Sequence, residues 1–179
     1  MRPPRILRRA VARVRYRVGQ VTRGLHTTLG PSEVQRIREL LSPVELAMFA
    51  AMRPRDRRHS FEVLRWLEVT SGSVRPSHEL AAAALLHDVG KGPLELWDRV
   101  GFVLLMALSP RLVDVLAAPR GLACRRALWR LRHHAALGAA RLREGGTSLR
   151  VVALVEGHTL DGATSDPELT RLIEADRAS

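Results

Sequence analysis

The chain has 179 residues, 46% of them hydrophobic and 26% charged, which is typical of one globular domain with a hydrophobic core and excludes a disordered or fibrous protein. No apolar run approaches the roughly 20 residues that a membrane-spanning helix needs, and the arginine-rich N-terminus lacks the pattern of a secretory signal. The single cysteine, Cys124, excludes an internal disulfide and favours a cytoplasmic location.

Most of the formal net charge of +11 lies at the start of the chain. Residues 1–32 contain eight arginines and no acidic residue, which leaves a net charge of +3 for residues 33–179. Apolar residues recur there at alternating spacings of four and three, at Leu7, Val11, Val14, Val18, Val21 and Leu25. This predicts a basic amphipathic helix over residues 1–30. We expect it to pack on the domain with its arginines in solvent, or to contact an anionic membrane surface, nucleic acid or a partner helix.

Helix signals continue through the rest of the chain. Ser42, Pro43 and Glu45 have the spacing of a capping box, which predicts a helix starting near residue 43. Similar Ser-Pro and Ser-Asp-Pro-Glu signals predict helix starts near residues 110 and 167. Further helices are predicted at 31–41, 57–70, 77–88, 94–107, 121–143 and 147–158. No segment alternates as a strand would, so the sequence predicts an all-α, compact multi-helix bundle.

Several ionisable residues lie on the apolar faces of these predicted helices. They are His59, His87, Asp88, His134, His158 and Asp176. Any one inward histidine is ordinarily a hydrogen-bonded core residue, but a carboxylate on an apolar face costs several kcal/mol unless it is paired or binds a metal. Taken together, nitrogen and oxygen donors without a thiolate match the needs of a hard or borderline divalent cation.

The heptapeptide LLHDVGK at residues 85–91 resembles the signature of the HD-domain metal-dependent phosphohydrolases, in its HDIG-like form. Four other segments resemble further elements of that family in the same order. They are DRRHSFEVLRWL at 56–67, HAALGAARL at 134–142, VVALVEGH at 151–158 and LTRLIEAD at 169–176. The resemblance covers about residue 43 to the end of the chain. It implies an HD-domain-like bundle over residues 31–179, after the basic helix at 1–30.

The resemblance also implies a set of metal ligands. His59, His87, Asp88 and Asp176 are expected to hold one divalent ion, and His134 and His158 to complete a site for a second ion that Asp88 bridges. The ion is expected to be manganese, iron, magnesium, nickel or cobalt, since this ligand set accepts several of them. Two neighbours are alternatives, His133 in place of His134 and Asp161 in place of Asp176.

The implied activity is hydrolysis of a phosphomonoester or phosphodiester of a nucleotide-like substrate by metal-activated hydroxide. Asp88 and Lys91 are the expected catalytic residues, with Lys91 facing the substrate phosphate. Lys91 is the only lysine beside 28 arginines, and its compact ammonium is a suitable point charge for a phosphate. The expected partner is thus a phosphorylated small molecule. The alternative is a regulatory module that binds a metal or nucleotide without turnover.

Overall fold

The computed structural model describes residues 27–72, 75–160 and 164–179. The amphipathic stripe predicted between Leu7 and Leu25 lies outside the described residues, and so does Asp161. The described residues contain nine helices and no strand, which confirms the all-α prediction. The helices are α1 (Pro31–Leu40), α2 (Pro43–Ala50), α3 (Pro54–Thr70), α4 (His78–Leu86), α5 (Leu96–Leu108), α6 (Pro110–Leu116), α7 (Ala123–Glu144), α8 (Leu149–Gly157) and α9 (Pro167–Ala178).

The described residues fall into two compact units. The larger unit comprises residues 27–93 and 133–179, and the smaller unit comprises residues 94–132. Helix α7 contributes its first part to the smaller unit and the rest to the larger one. The domain bounds of 1–30 and 31–179 stay a prediction.

Local signals set most helix starts as the sequence predicts. The Ser42 hydroxyl accepts a hydrogen bond from the Glu45 N–H, and the Glu45 carboxylate accepts one from the Ser42 N–H at 2.9 Å, so the capping box at α2 forms. Ser109 makes no such side-chain bond before α6. Its N–H instead donates to Leu105 O and ends α5, so Pro110 alone supplies the start signal there.

Helix α4 is the centre of the larger unit. All seven residues from Leu80 to Leu86 are buried, and the helix packs against α1, α2, α3, α8 and α9. A helix that is apolar on every side is stable only when its neighbours cover all of it. The run of alanines at 81–84 lets those neighbours approach closely. The turn that follows α4 is therefore held inside the unit.

Three helices of the larger unit are joined at their N-terminal ends by one polar network. Arg150, in the first turn of α8, contacts Asp166 at 2.5 Å and Glu168 at 2.6 Å. Asp166 is the N-cap of α9 and accepts from the Glu168 and Leu169 N–H groups. Glu168 also accepts from Ser77, the N-cap of α4. This network aligns the starts of α4, α8 and α9.

The smaller unit has less buried apolar surface. Its buried cluster comprises Leu94, Ala127 and Leu131, with Phe102 packed against them. Helices α5 and α6 pack on each other, but Val113 is the only residue of these two helices with a described side chain that is buried. Within the described ranges, no helix is both long enough and apolar enough to cross a membrane.

The network makes a prediction about stability. Replacing Asp166 by alanine removes both the α9 cap and the ion pair, and we expect a loss of about 1–2 kcal/mol in the free energy of unfolding. Asp166→Asn keeps a capping oxygen without the charge, so it should cost about half as much. Urea unfolding at neutral pH measures both values.

The same pair of variants has a pH signature. The hydrogen bonds from Arg150 lower the pKa of Asp166 to about 2. The contribution of the charge is therefore fully present above about pH 3.8, the ordinary value, and is lost as the pH falls through 2. The stability difference between the wild type and Asp166→Asn should shrink over that window. A difference that does not change with pH would contradict the ion-pair contribution.

Candidate metal centre

Five segments of the larger unit bring the six predicted ligand residues together. His59 comes from α3, His87 and Asp88 from the turn after α4, His134 from α7, His158 from the residue after α8, and Asp176 from the last turn of α9. The sequence placed His87, Asp88 and His158 inside helices, whereas α4 ends at Leu86 and α8 ends at Gly157. These three side chains therefore lie at the C-terminal ends of helices, where the helix dipole favours a cation.

His87 and His158 are held by the same local device. The Nδ1 atom of His87 lies 2.9 Å from Ala84 O, and that of His158 lies 2.6 Å from Val155 O. A carbonyl only accepts, so each Nδ1–H donates to the residue three positions earlier. Each bond satisfies a carbonyl at the end of its helix. It also leaves Nε2 directed at the cluster, which is the tautomer that a metal-binding histidine needs.

The first group of donor atoms surrounds Asp176. His59 Nε2 lies 2.9 Å from Asp176 Oδ1, and His87 Nε2 lies 3.5 Å from the same oxygen. The pairing with His59 connects α3 to α9 across 117 positions of sequence. Asp176, three residues from the end of the sequence, is thereby tied into the cluster.

The second group surrounds Asp88. Its Oδ1 atom lies 3.4 Å from His87 Nε2 and 3.7 Å from His134 Nε2. The Nε2 atoms of His134 and His158 are 3.2 Å apart. The donor atoms of His87, Asp88 and His158 all lie within 4.8 Å of one another. His134 is thus the histidine beside the cluster, while His133 has an exposed side chain.

Burial and opposite charges determine the protonation of this cluster. Burial disfavours the charged form of His87, but the negative charges of Asp88 and Asp176 outweigh it and raise the pKa of His87 to about 9. Burial also opposes ionisation of the two carboxyl groups, yet the facing imidazoles lower the pKa of both well below the ordinary value. The pKa of His158 falls to about 3 because of its burial and the neighbouring histidines. At neutral pH and without a cation, His87 is therefore protonated, and a metal would have to displace the proton on its Nε2 atom. His158 stays neutral and keeps its Nε2 atom as a donor.

Two buried atoms show that the cluster fits a cation. Among the described residues, neither Nε2 of His87 nor Oδ1 of Asp88 has a hydrogen-bond partner, although both residues are at most 2% exposed. A buried polar atom without a partner costs about 1–3 kcal/mol. A divalent ion is a single partner that satisfies both atoms together with the imidazoles around them. The nitrogen and oxygen donors suit the divalent ions expected from the sequence.

Lys91 is placed by Asp88. Its Nζ atom lies 2.5 Å from Asp88 Oδ2, and its side chain is 17% exposed. The two oxygens of Asp88 therefore have different surroundings, since Oδ2 accepts from the ammonium and Oδ1 faces the imidazoles. The sequence indicated a phosphate-facing lysine, but it contained no sign of this pairing.

A close backbone contact that the sequence analysis missed holds the turn beside α7. A Cβ atom on Gly90 would lie 2.0 Å from His134 O and 2.5 Å from Gly138 N. Both are backbone atoms, so a side chain at residue 90 can be accommodated only if the turn and α7 move apart. The sequence does contain one sign of this contact. Gly90 follows the His-Asp pair and Gly138 lies four residues after His134, and glycines allow two backbones to approach closely.

This contact predicts the effect of a single methyl group. Gly90→Ala should move His134 away from Asp88 and weaken binding of manganese about tenfold or more, as changes around metal ligands commonly do. Titration calorimetry measures the affinity. Gly101→Ala, whose Cβ would meet no atom within 4 Å, is the matched control and should bind as the wild type does. Unchanged affinity in a folded Gly90→Ala protein would contradict the positioning role.

Comparison with known proteins agrees with this geometry. The family model of the HD domain matches residues 57–179, a range that includes all six clustered residues. No curated protein and no solved structure matches the chain. The family match covers more than half of the sequence, so the chain belongs to the HD domain family, within a superfamily of metal-dependent hydrolases.

Proposed function

We propose that the protein is a metal-dependent phosphohydrolase that cleaves a phosphomonoester or phosphodiester of a nucleotide-like small molecule. The observation that carries the proposal is the pair of buried, unpartnered atoms on His87 and Asp88. Four further donor residues, His59, His134, His158 and Asp176, surround them. A structural core would leave such atoms hydrogen-bonded or would replace them by apolar groups.

The six residues divide into two overlapping sets of ligands. His59, His87, Asp88 and Asp176 would hold one ion, and His134 and His158 would provide donors for a second ion together with Asp88. The Nδ1–H bonds of His87 and His158 to helix carbonyls keep their Nε2 atoms available as donors. A bound divalent cation supplies Lewis acidity, which lowers the pKa of water toward neutrality and polarises a phosphoryl group.

Lys91 contributes the chain's own positive charge. Its ammonium fixes the orientation of the Asp88 carboxylate, and in the proposed reaction it also offsets negative charge on the phosphoryl oxygens. Preorganised charge is most effective where the transition state gains charge. A compact ammonium can serve both partners because it carries three donors.

A cavity beside the cluster supports a small substrate. It has a volume of about 370 Å³, reaches Asp88, and is also lined by Met48, Met52, Arg53 and Arg141. That volume is at the lower end of the range for small-molecule sites, about 300–1,000 Å³. The methionines provide apolar contact for a base or similar group. The carboxylates of Asp56 and Glu144 also line the cavity and offset the two arginines, so the charge for a phosphate has to come from Lys91 and a bound cation.

The first test combines metal content with hydrolysis. The purified protein should contain one or two divalent ions per chain and hydrolyse an aryl phosphomonoester or phosphodiester in the presence of manganese. A His87→Ala, Asp88→Ala double variant should lose both properties. His133→Ala is the matched control, because it removes an exposed histidine next to His134 and should change neither. Mass spectrometry measures the metal content, and release of the aryl alcohol measures hydrolysis.

The other outcomes separate the alternatives. Bound metal without hydrolysis of aryl esters or of a nucleotide panel would favour a regulatory module that binds a metal or nucleotide without turnover. A folded protein that takes up no cation and hydrolyses nothing would contradict the proposal. Equal activity in the double variant would show that the reaction occurs elsewhere.

Lys91 allows a test of chemistry apart from metal binding. Lys91→Met keeps most of the side chain but removes the charge, and we expect kcat to fall about a hundredfold or more while metal is still bound. Lys91→Arg keeps the charge in a larger, planar group, so its kcat should lie between those of the wild type and Lys91→Met. Wild-type turnover by the methionine variant would exclude a role for the ammonium in the reaction.

A further inference from the structure

Exposed apolar side chains are concentrated in the smaller unit. Seven of the eleven large apolar residues that are exposed among the described residues lie there, although the described part of this unit is limited to residues 94–132. The seven are Trp97, Leu104, Leu108, Leu112, Val115, Leu116 and Leu122. Single exposed apolar residues need no explanation, but a concentration of them indicates an interaction surface.

The exposed residues follow helical spacing. Trp97, Leu104 and Leu108 are separated by seven and four positions in α5, and Leu112, Val115 and Leu116 by three and one in α6. Each set therefore lies on one face of its helix. The two helices pack on each other, so this pair of helices presents apolar faces to solvent. We call these residues, with Leu122, the apolar surface of α5 and α6.

Arginines border this surface. Arg125 Nε donates to Leu116 O at 2.9 Å, and Arg126 Nη1 donates to Gly121 O at 3.0 Å, which holds both guanidinium groups beside exposed leucines. Arg111 and Arg120 are also exposed. In the described part of the chain, none of these four arginines forms an ion pair with a carboxylate. Their positive charge is thus available to an anionic partner.

We propose that the apolar surface of α5 and α6 docks on a bilayer surface that contains anionic lipids. Helices that lie in the interface of a bilayer combine an apolar face bearing Trp and Leu with flanking basic residues, which contact the headgroups. Tryptophan is also favoured at the boundary between headgroups and acyl chains. Trp97 is 79% exposed and lies at the start of α5.

The combination of charge and apolar surface favours anionic lipid over a second copy of the chain and over nucleic acid. A second copy of the chain would bring its own arginines to the same surface, and each copy carries a net charge of +11, so like charges would oppose that pairing. Nucleic acid would match the arginines but offers no partner for leucine and valine faces. Anionic lipid satisfies both parts of the surface.

The experiment uses the full chain and extruded vesicles of phosphatidylglycerol and phosphatidylcholine in equal parts. Sedimentation with vesicles should show binding that is weaker at high salt and at least tenfold weaker to phosphatidylcholine alone. Leu108→Ser, Val115→Ser should reduce the binding about tenfold. The matched control is Val69→Ser, Leu149→Ser, which changes a valine and a leucine of nearly the same exposure in the larger unit and should bind as the wild type does.

Two further measurements identify the surface. Brominated lipid should quench the tryptophan fluorescence of the wild type. Most of this quenching should be absent in the Trp97→Phe variant. Arg111→Gln, Arg120→Gln should weaken binding to the anionic vesicles and leave binding to phosphatidylcholine unchanged. Circular dichroism confirms that each variant is folded.

Several results would overturn the proposal. Full binding by Leu108→Ser, Val115→Ser would show that another part of the chain contacts the lipid. No preference for anionic vesicles would exclude the role of the arginines. If sedimentation velocity shows a dimer that the same double variant converts to a monomer, a second copy of the chain covers the surface instead.

Discussion

The arrangement of side chains at the candidate site of the larger unit depends on how one buried negative charge, that of Asp88, is compensated. Asp88 is almost fully buried, and a carboxylate in that position is tolerated only when opposite charge and hydrogen-bond donors surround it. Lys91 satisfies one oxygen, while His87 and His134 face the other. Because that second oxygen still has no hydrogen bond among the described residues, the protein side of the compensation is incomplete. A divalent cation would complete it, and this requirement would link the stability of the site to its chemistry.

The two ends of α4, α8 and α9 have different roles, since one end is fixed by ion pairs and the other carries donor residues. The starts of α4, α8 and α9 meet in the network centred on Arg150. Four of the six donor residues, His87, Asp88, His158 and Asp176, lie at or near the other ends of the same three helices. Fixing one end of a rigid helix fixes the position of its other end, so the ion pairs contribute to the geometry of the candidate metal centre. The close contact of Gly90 with α7 does the same for His134. Partly exposed ion pairs add little stability alone, and here their value lies in alignment.

Helical periodicity was sufficient to predict the helices and to place the donor residues on inward faces. It could not show that His87 and His158 follow the ends of their helices, because helix ends depend on hydrogen bonds that the pattern does not encode. The bonds from these histidines to Ala84 and Val155 carbonyls, and the contact of Gly90 with α7, arise from tertiary positions. Asp176 shows the opposite case. It lies in the last turn of α9, and His59 and His87 hold it through long-range contacts.

The smaller unit shows where composition misleads. Apolar content counts as evidence for a core, yet α5 places much of its apolar surface in solvent. Periodicity identifies an apolar face without indicating whether protein or lipid covers it. The neighbouring charges help to distinguish the two cases. An apolar face that packs on a protein core does not require arginines beside it, whereas a face that contacts anionic lipid does.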